Sequence, residues 1–172
     1  MTIENKKILM VVAPTGFKDD EFFIPKQIFE KEKVVVQLAS MASGAATSEL
    51  GKSVTIDFAV DEIKPDQFDA VVFVGGPGMV KMTDEESFVD LARDFYDKGK
   101  LTCAICIAPV ILANAGILSG KSATVHESGQ TEFEEADAKY TGDQVTKTEN
   151  VITACGPKAA KAFAKEIIKA LS

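Results

Sequence analysis

The chain has no tryptophan, one histidine, two tyrosines and three cysteines among 172 residues. With His126 as the sole histidine, any Cys–His couple must use it. Three cysteines are an odd number and give no disulfide framework. No second Cys/His pair has ligand spacing, so no metal site is expected, and nothing in the sequence calls for a cofactor. No apolar run approaches the ~20 residues that cross a bilayer. The first seven residues are polar and lead straight into an apolar run, without a basic segment followed by an apolar leader. No membrane partner and a cytoplasmic location are therefore expected. The net charge is −7 and long basic runs are missing, which argues against a nucleic-acid partner. Repeats, low-complexity segments and linkers are absent too, so residues 1–172 are expected to form a single domain.

What is present is apolar and alternating. Hydrophobic residues make up 46% of the chain and charged residues 26%, enough for a large core. Apolar runs at Ile8–Ala13, Val34–Ala39 (broken only by Gln37), Ala70–Val74 and Leu101–Ile105 read as strands of a parallel sheet. Helical spacing of apolar residues follows the first, third and fourth of these. The helices are expected from about Asp19 to Lys33, over Asp84–Lys98 and from Pro109 to Ala115. Thr83 with Glu86 suggests a capping box on the second. A hairpin is expected around Gly51-Lys52, pairing Thr47–Leu50 with Val54–Phe58, after a loop over Ser40–Ser48. Short strands at Ser122–Val125, Gln144–Lys147 and Asn150–Ala154, one or two helical turns within Thr131–Ala138, and a last helix opened by Gly156-Pro157 complete the chain. Alternating strands and helices make an α/β sandwich, its mostly parallel sheet covered by helices on both faces.

Ligands of such sheets sit outside the carboxyl ends of the strands. The features there are Pro14–Glu21, Gly75–Gly78, Cys106, His126 and Cys155-Gly156-Pro157. Cys106 falls on the joint between the fourth strand and the helix opened by Pro109. A side chain at such a nucleophile elbow is lifted out of the sheet toward the N–H groups of a helix start. Those donors favour an anion, so the thiol is expected to ionise below its usual ~8.5. The backbone N–H groups of Gly76 and Ile107 can form an oxyanion hole beside it, although Gly75-Gly76-Pro77-Gly78 alone reads as a tight turn. Glu21 by composition is a first-turn residue favouring the helix dipole. If it turns toward Cys106 instead, two acids share a dry site, and one keeps its proton. His126 is the candidate base. Gly75, Pro77, Cys155 and Gly156 are candidate pocket residues. Cys103 lies inside its strand, ~10 Å from Cys106 at strand rise, too far for a disulfide.

Taken together, E-F-F-I-P (Glu21–Pro25), V-F-V-G-G-P-G (Val72–Gly78), A-I-C-I-A-P (Ala104–Pro109) and I-T-A-C-G-P (Ile152–Pro157) resemble the ThiJ/PfpI family, of the DJ-one type superfamily. The resemblance covers essentially the whole chain. It implies a flavodoxin-like fold akin to class I glutamine amidotransferase domains, a nucleophilic Cys106 faced by the carboxyl of Glu21, an oxyanion hole near Gly76 and Ile107, and a homodimer. It also implies a glyoxalase or deglycase acting on small methylglyoxal-type carbonyl compounds, linked to stress protection. A redox-sensing or chaperone-like protein working through oxidation of Cys106 is the alternative. A PfpI-type peptidase is disfavoured, because that branch carries His directly after the Cys and Ile107 stands there. The amidotransferase pattern H-x-E fails, since His126 and Glu127 are adjacent.

Overall fold

Runs that are apolar at every position become the inner strands of a sheet, because only strands covered on both faces can bury all their side chains. The computed structural model describes residues 2–172. In chain order it holds β1 (Lys7–Val11), β2 (Thr15–Phe17), α1 (Asp19–Lys31), β3 (Val35–Ser40), β4 (Gly44–Ser48), β5 (Ser53–Ile56), β6 (Phe58–Ala59) and β7 (Ala70–Phe73). The second half adds α2 (Glu86–Asp97), β8 (Leu101–Ile105), α3 (Pro109–Asn114), β9 (Ser122–Ala123), α4 (Gln130–Glu135), β10 (Lys139–Tyr140), β11 (Val145–Thr148), β12 (Val151–Ala154) and α5 (Ala160–Leu171).

Seven strands form the central sheet in the order β11-β12-β8-β7-β1-β3-β6. All neighbours are parallel except the β11–β12 hairpin. β7, β8 and β12 are buried at every residue. Helices α1 and α5 cover one face, where Phe22, Phe29 and Phe163 pack with Ile8, Met10 and Ile152. Helices α2, α3 and α4 cover the other, where Phe88, Phe95 and Phe133 share a cluster with Leu9, Phe73 and Ala104. This is the flavodoxin-like three-layer α/β fold. Because β1, β7, β8 and β12 are parallel, their carboxyl ends lie along one edge.

Several local expectations are corrected. The hairpin at Gly51 exists, but its first strand is β4, starting at Gly44 inside the expected loop, and β4 and β5 belong with β2 to a separate small sheet. The capping box at Thr83 does not form. The Thr83 hydroxyl donates back to the Val80 carbonyl at 3.3 Å, ending a 3₁₀ stretch over Pro77–Met82, and α2 begins only at Glu86 with no side-chain cap. The strand expected at Ser122–Val125 is reduced to β9 and pairs with β10 outside the main sheet.

Candidate active site

Cys106 follows β8 directly and has φ +66°. The left-handed region strains a residue with a Cβ by roughly 1–2 kcal/mol. Such strain persists only where the surroundings fix it. Here they do: Cys106 N–H donates to Ala154 C=O at 2.9 Å, Ala108 N–H to Ile105 C=O at 3.1 Å, and His126 N–H to Cys106 C=O at 2.7 Å. The turn swings the side chain toward Gly75, at the end of β7. A methyl group on Gly75 would meet Glu21 Oε1 at 2.5 Å, Cys106 Cβ at 2.6 Å and Ile105 O at 2.7 Å. Gly75 is thus the floor on which carboxyl and thiol meet. Gly76 needs glycine for a second reason, its φ of 116°.

Glu21 reaches this floor from the first turn of α1. Lys18 N–H donates to Gly75 C=O at 3.0 Å, tying the helix start to the turn. Pro25 inside α1 has no N–H to donate, which leaves the Glu21 carbonyl without its helical partner. The Glu21 side chain is fully buried. Neither carboxyl oxygen meets a partner of hydrogen-bond geometry. The Cys106 thiol and the Gly75 N–H are close enough to favour the carboxylate, but they do not close on it. Burial therefore dominates and raises the carboxyl from 4.5 to about 7; Lys18 lowers it and Glu49 raises it more weakly.

The expectation of a readily ionised thiol is corrected. Burial first, then the charge and hydrogen bond of a Glu21 carboxylate, push Cys106 up to about 12, against the downward pull of the Ile107 and Gly76 N–H groups. Burial raises both groups, and a Glu21 carboxylate raises the thiol further; two negative charges do not share such a site cheaply, and the titrations belong to the pair. When Glu21 holds the proton, its charge no longer opposes the thiolate, and its O–H becomes a donor to sulfur. The two N–H groups named from the sequence both act on the sulfur.

The pair opens into a crevice of about 270 Å³, lined also by Lys18, Glu49, Pro77, Val80, Ile107, His126, Ser128 and Pro157. Of the expected pocket residues, Pro77 lines it. Gly75 lies under the pair, and Cys155 and Gly156 stand beside the crevice, with Pro157 in their place. His126 reaches the wall, but its ring bonds elsewhere: Nδ1 lies 2.8 Å from Ser128 Oγ and accepts the Ser128 N–H at 3.1 Å. A ring nitrogen that accepts from a backbone N–H carries no proton, so the neutral ring holds its proton on Nε2. Cys103 is fully buried, and burial drives its thiol far upward. A wider groove of about 390 Å³ beside α2 is lined by acids, among them Glu85, Glu86, Asp90 and Asp94, and holds no cysteine or histidine.

Sequence reasoning missed one assembly. Asp19 is buried in the first turn of α1 and holds the turn of the β4–β5 hairpin. It accepts from Ser48 Oγ at 2.7 Å and from Leu50 N–H at 3.1 Å. Glu49, between them, donates its N–H to Phe17 C=O at 2.8 Å and pairs with Lys18 at 3.0 Å. The signal was the run Asp19-Asp20-Glu21, which reads from sequence only as dipole-compatible acids.

The DJ-1/PfpI family profile matches residues 6–170. The chain belongs to the DJ-1/PfpI family. Among its relatives is an uncharacterized Methanocaldococcus jannaschii protein, 38% identical over 98% of this chain and 84% of its own length. The Pyrococcus furiosus protein named deglycase PfpI is 32% identical over 96% of this chain and 99% of its own. A ThiJ/PfpI domain protein from Brachyspira murdochii, of known crystal structure, superposes with a TM-score of 0.95 at 33% identity, covering 98% of this chain and 97% of that one. As a DJ-1/PfpI member the chain has relatives that bear enzyme names, deglycase among them.

Proposed function

We propose that this protein is a Cys106-dependent enzyme acting on small reactive carbonyl compounds of the methylglyoxal type. The observation that carries the reading is the buried, unpartnered carboxyl of Glu21 set against the thiol of Cys106 at a strained strand–helix joint. A carboxyl that titrates near neutral pH both takes and returns protons under working conditions. The thiol gives its proton to Glu21 as sulfur attacks the aldehyde carbon. The C–S bond forms, the carbonyl electron pair moves to oxygen, and that oxygen sits within reach of the Gly76 and Ile107 N–H groups. Glu21 then returns the proton to the oxygen, giving a hemithioacetal. With a 2-oxoaldehyde, transfer of the C1 proton to C2 and of the hydroxyl proton to the C2 oxygen makes a thioester, and water releases a 2-hydroxy acid and the free thiol. The crevice has room for such a molecule, with Pro77, Val80 and Ile107 for the apolar part.

Support from relatives is the deglycase name of the Pyrococcus furiosus protein. Lactate release from methylglyoxal, measured for the wild type and for Cys106→Ser, tests the reading. Turnover in the wild type that vanishes in the folded variant supports it. Equal rates in both, or none in the wild type together with reversible oxidation of Cys106, favour the redox-sensing alternative.

A further inference from the structure

Besides Glu21, the crevice over Cys106 is lined by two side chains of opposite charge, Lys18 and Glu49. Lys18 Nζ lies 3.0 Å from Glu49 Oε2, and each side chain is 37% exposed. Exposed pairs of long side chains are usually loose. Here both backbones are fixed. Lys18 N–H donates to Gly75 C=O at 3.0 Å and Glu49 N–H to Phe17 C=O at 2.8 Å. The residues before and after Glu49 are held as well, since Ser48 Oγ and Leu50 N–H donate to the buried Asp19 carboxylate. The hairpin turn thus carries a negative charge to the crevice. It sets that charge against Lys18, the only lysine or arginine lining the crevice among the described residues. The hydrogen bond and charge of Glu49 also raise the Lys18 pKa, so the ammonium persists. The remaining walls include Pro77, Val80, Ile107 and Pro157, which offer a charge nothing. A carboxylate entering beside Cys106 needs Lys18 as its partner, because an unpaired charge is costly to bury. Glu49 already holds that partner.

We propose that Glu49 is a specificity-determining residue: by occupying Lys18 it makes the Cys106 crevice refuse molecules that carry a carboxylate and admit neutral ones. Selectivity of this kind comes from the repulsive element as much as from the attractive one. For the substrate, the inference rests on the carbonyl reading above and narrows it. Uncharged 2-oxoaldehydes enter, and aldehydes bearing a carboxylate, such as glyoxylate, are left out.

The test compares two alkylating reagents of nearly equal size, neutral iodoacetamide and anionic iodoacetate, on the folded full-length protein. Rates are read as mass gained by the peptide that contains Cys106. Both reagents react with the same thiolate, so a change in its population cancels from their ratio. Removing one charge beside a partly exposed site shifts such a ratio by about 3- to 10-fold. Glu49→Gln should raise the iodoacetate rate relative to iodoacetamide by that factor, and Lys18→Gln should lower it. The variant carrying both substitutions is neutral again and should return close to the wild-type ratio, which separates charge from shape. An unchanged ratio in Glu49→Gln, or a shift of the same sign in both single variants, overturns the proposal. No carbonyl compound enters this assay, so the charge filter and the lactate reaction stand or fall separately.

Discussion

Replacing Glu21 by Gln should make the protein more stable at alkaline pH and leave it nearly unchanged in acid. The side chain is fully buried and its two carboxyl oxygens lack partners, so the folded state favours the neutral acid. A rise from 4.5 to about 7, at about 1.36 kcal/mol per pKa unit, corresponds to roughly 3 kcal/mol. The sign follows from proton binding. Between these values the folded state holds more protons than the unfolded one, so stability falls with pH. The contribution is fully present below 4.5 and lost as pH rises through about 7. Gln keeps the shape without titrating. Urea unfolding of both proteins at pH 5 and pH 8 reads the effect, and the difference between the proteins cancels the titrating groups that Glu21 does not touch. The variant should match the wild type within about 1 kcal/mol at pH 5 and exceed it by up to roughly 3 kcal/mol at pH 8. A gap that is the same at both pH values would refute the buried, proton-holding carboxyl.

Three further outcomes follow from the same geometry. In a protein with Cys103 and Cys155 replaced by Ser, Glu21→Gln should move the midpoint of Cys106 alkylation to lower pH, because the carboxylate charge that pushes the thiol up is gone; an unmoved or higher midpoint contradicts this. Gly75→Ala should lower stability by about 1–3 kcal/mol, read as a melting point lower by about 2–10 °C, and should slow alkylation of Cys106, since the backbone oxygen of Ile105 cannot yield to the new methyl group; unchanged melting and reactivity would count against the cradle. Asp19→Ala should cost about 1–2 kcal/mol and speed amide exchange at Leu50 more than in β7 or β8, because Asp19 holds the hairpin tip; exchange that rises evenly over the molecule would mean it has no local role.

The layers were readable because the sheet's inner strands are apolar at nearly every position, a pattern that solvent-facing elements do not keep. Cys106 was readable as an elbow because a strand run meets Pro109 within four residues of its end. Glu21 was not decided by sequence: the same residue in a first turn serves the helix dipole in the open and an acid–base pair when buried, and burial is set by β7 and β8 from far along the chain. The hairpin strand β4 escaped because Gly44-Ala45-Ala46-Thr47-Ser48 has the small polar composition of a loop, and its pairing to β2 and β5 overrides that. The thiol's acidity was misjudged in the same way. The donors at the helix start are local and visible in the sequence; the burial and the carboxylate that outweigh them are tertiary.

The central claim is that the Glu21 carboxyl and the Cys106 thiol work as one proton-exchanging pair on a carbonyl compound. Its most direct measurement is the rate of lactate formation from methylglyoxal by the wild type and by Glu21→Gln, both folded and with Cys106 shown to be alkylatable. The pair predicts wild-type turnover that falls at least about 100-fold in the variant, the size of a lost general acid–base group. Wild-type rates in Glu21→Gln would contradict it.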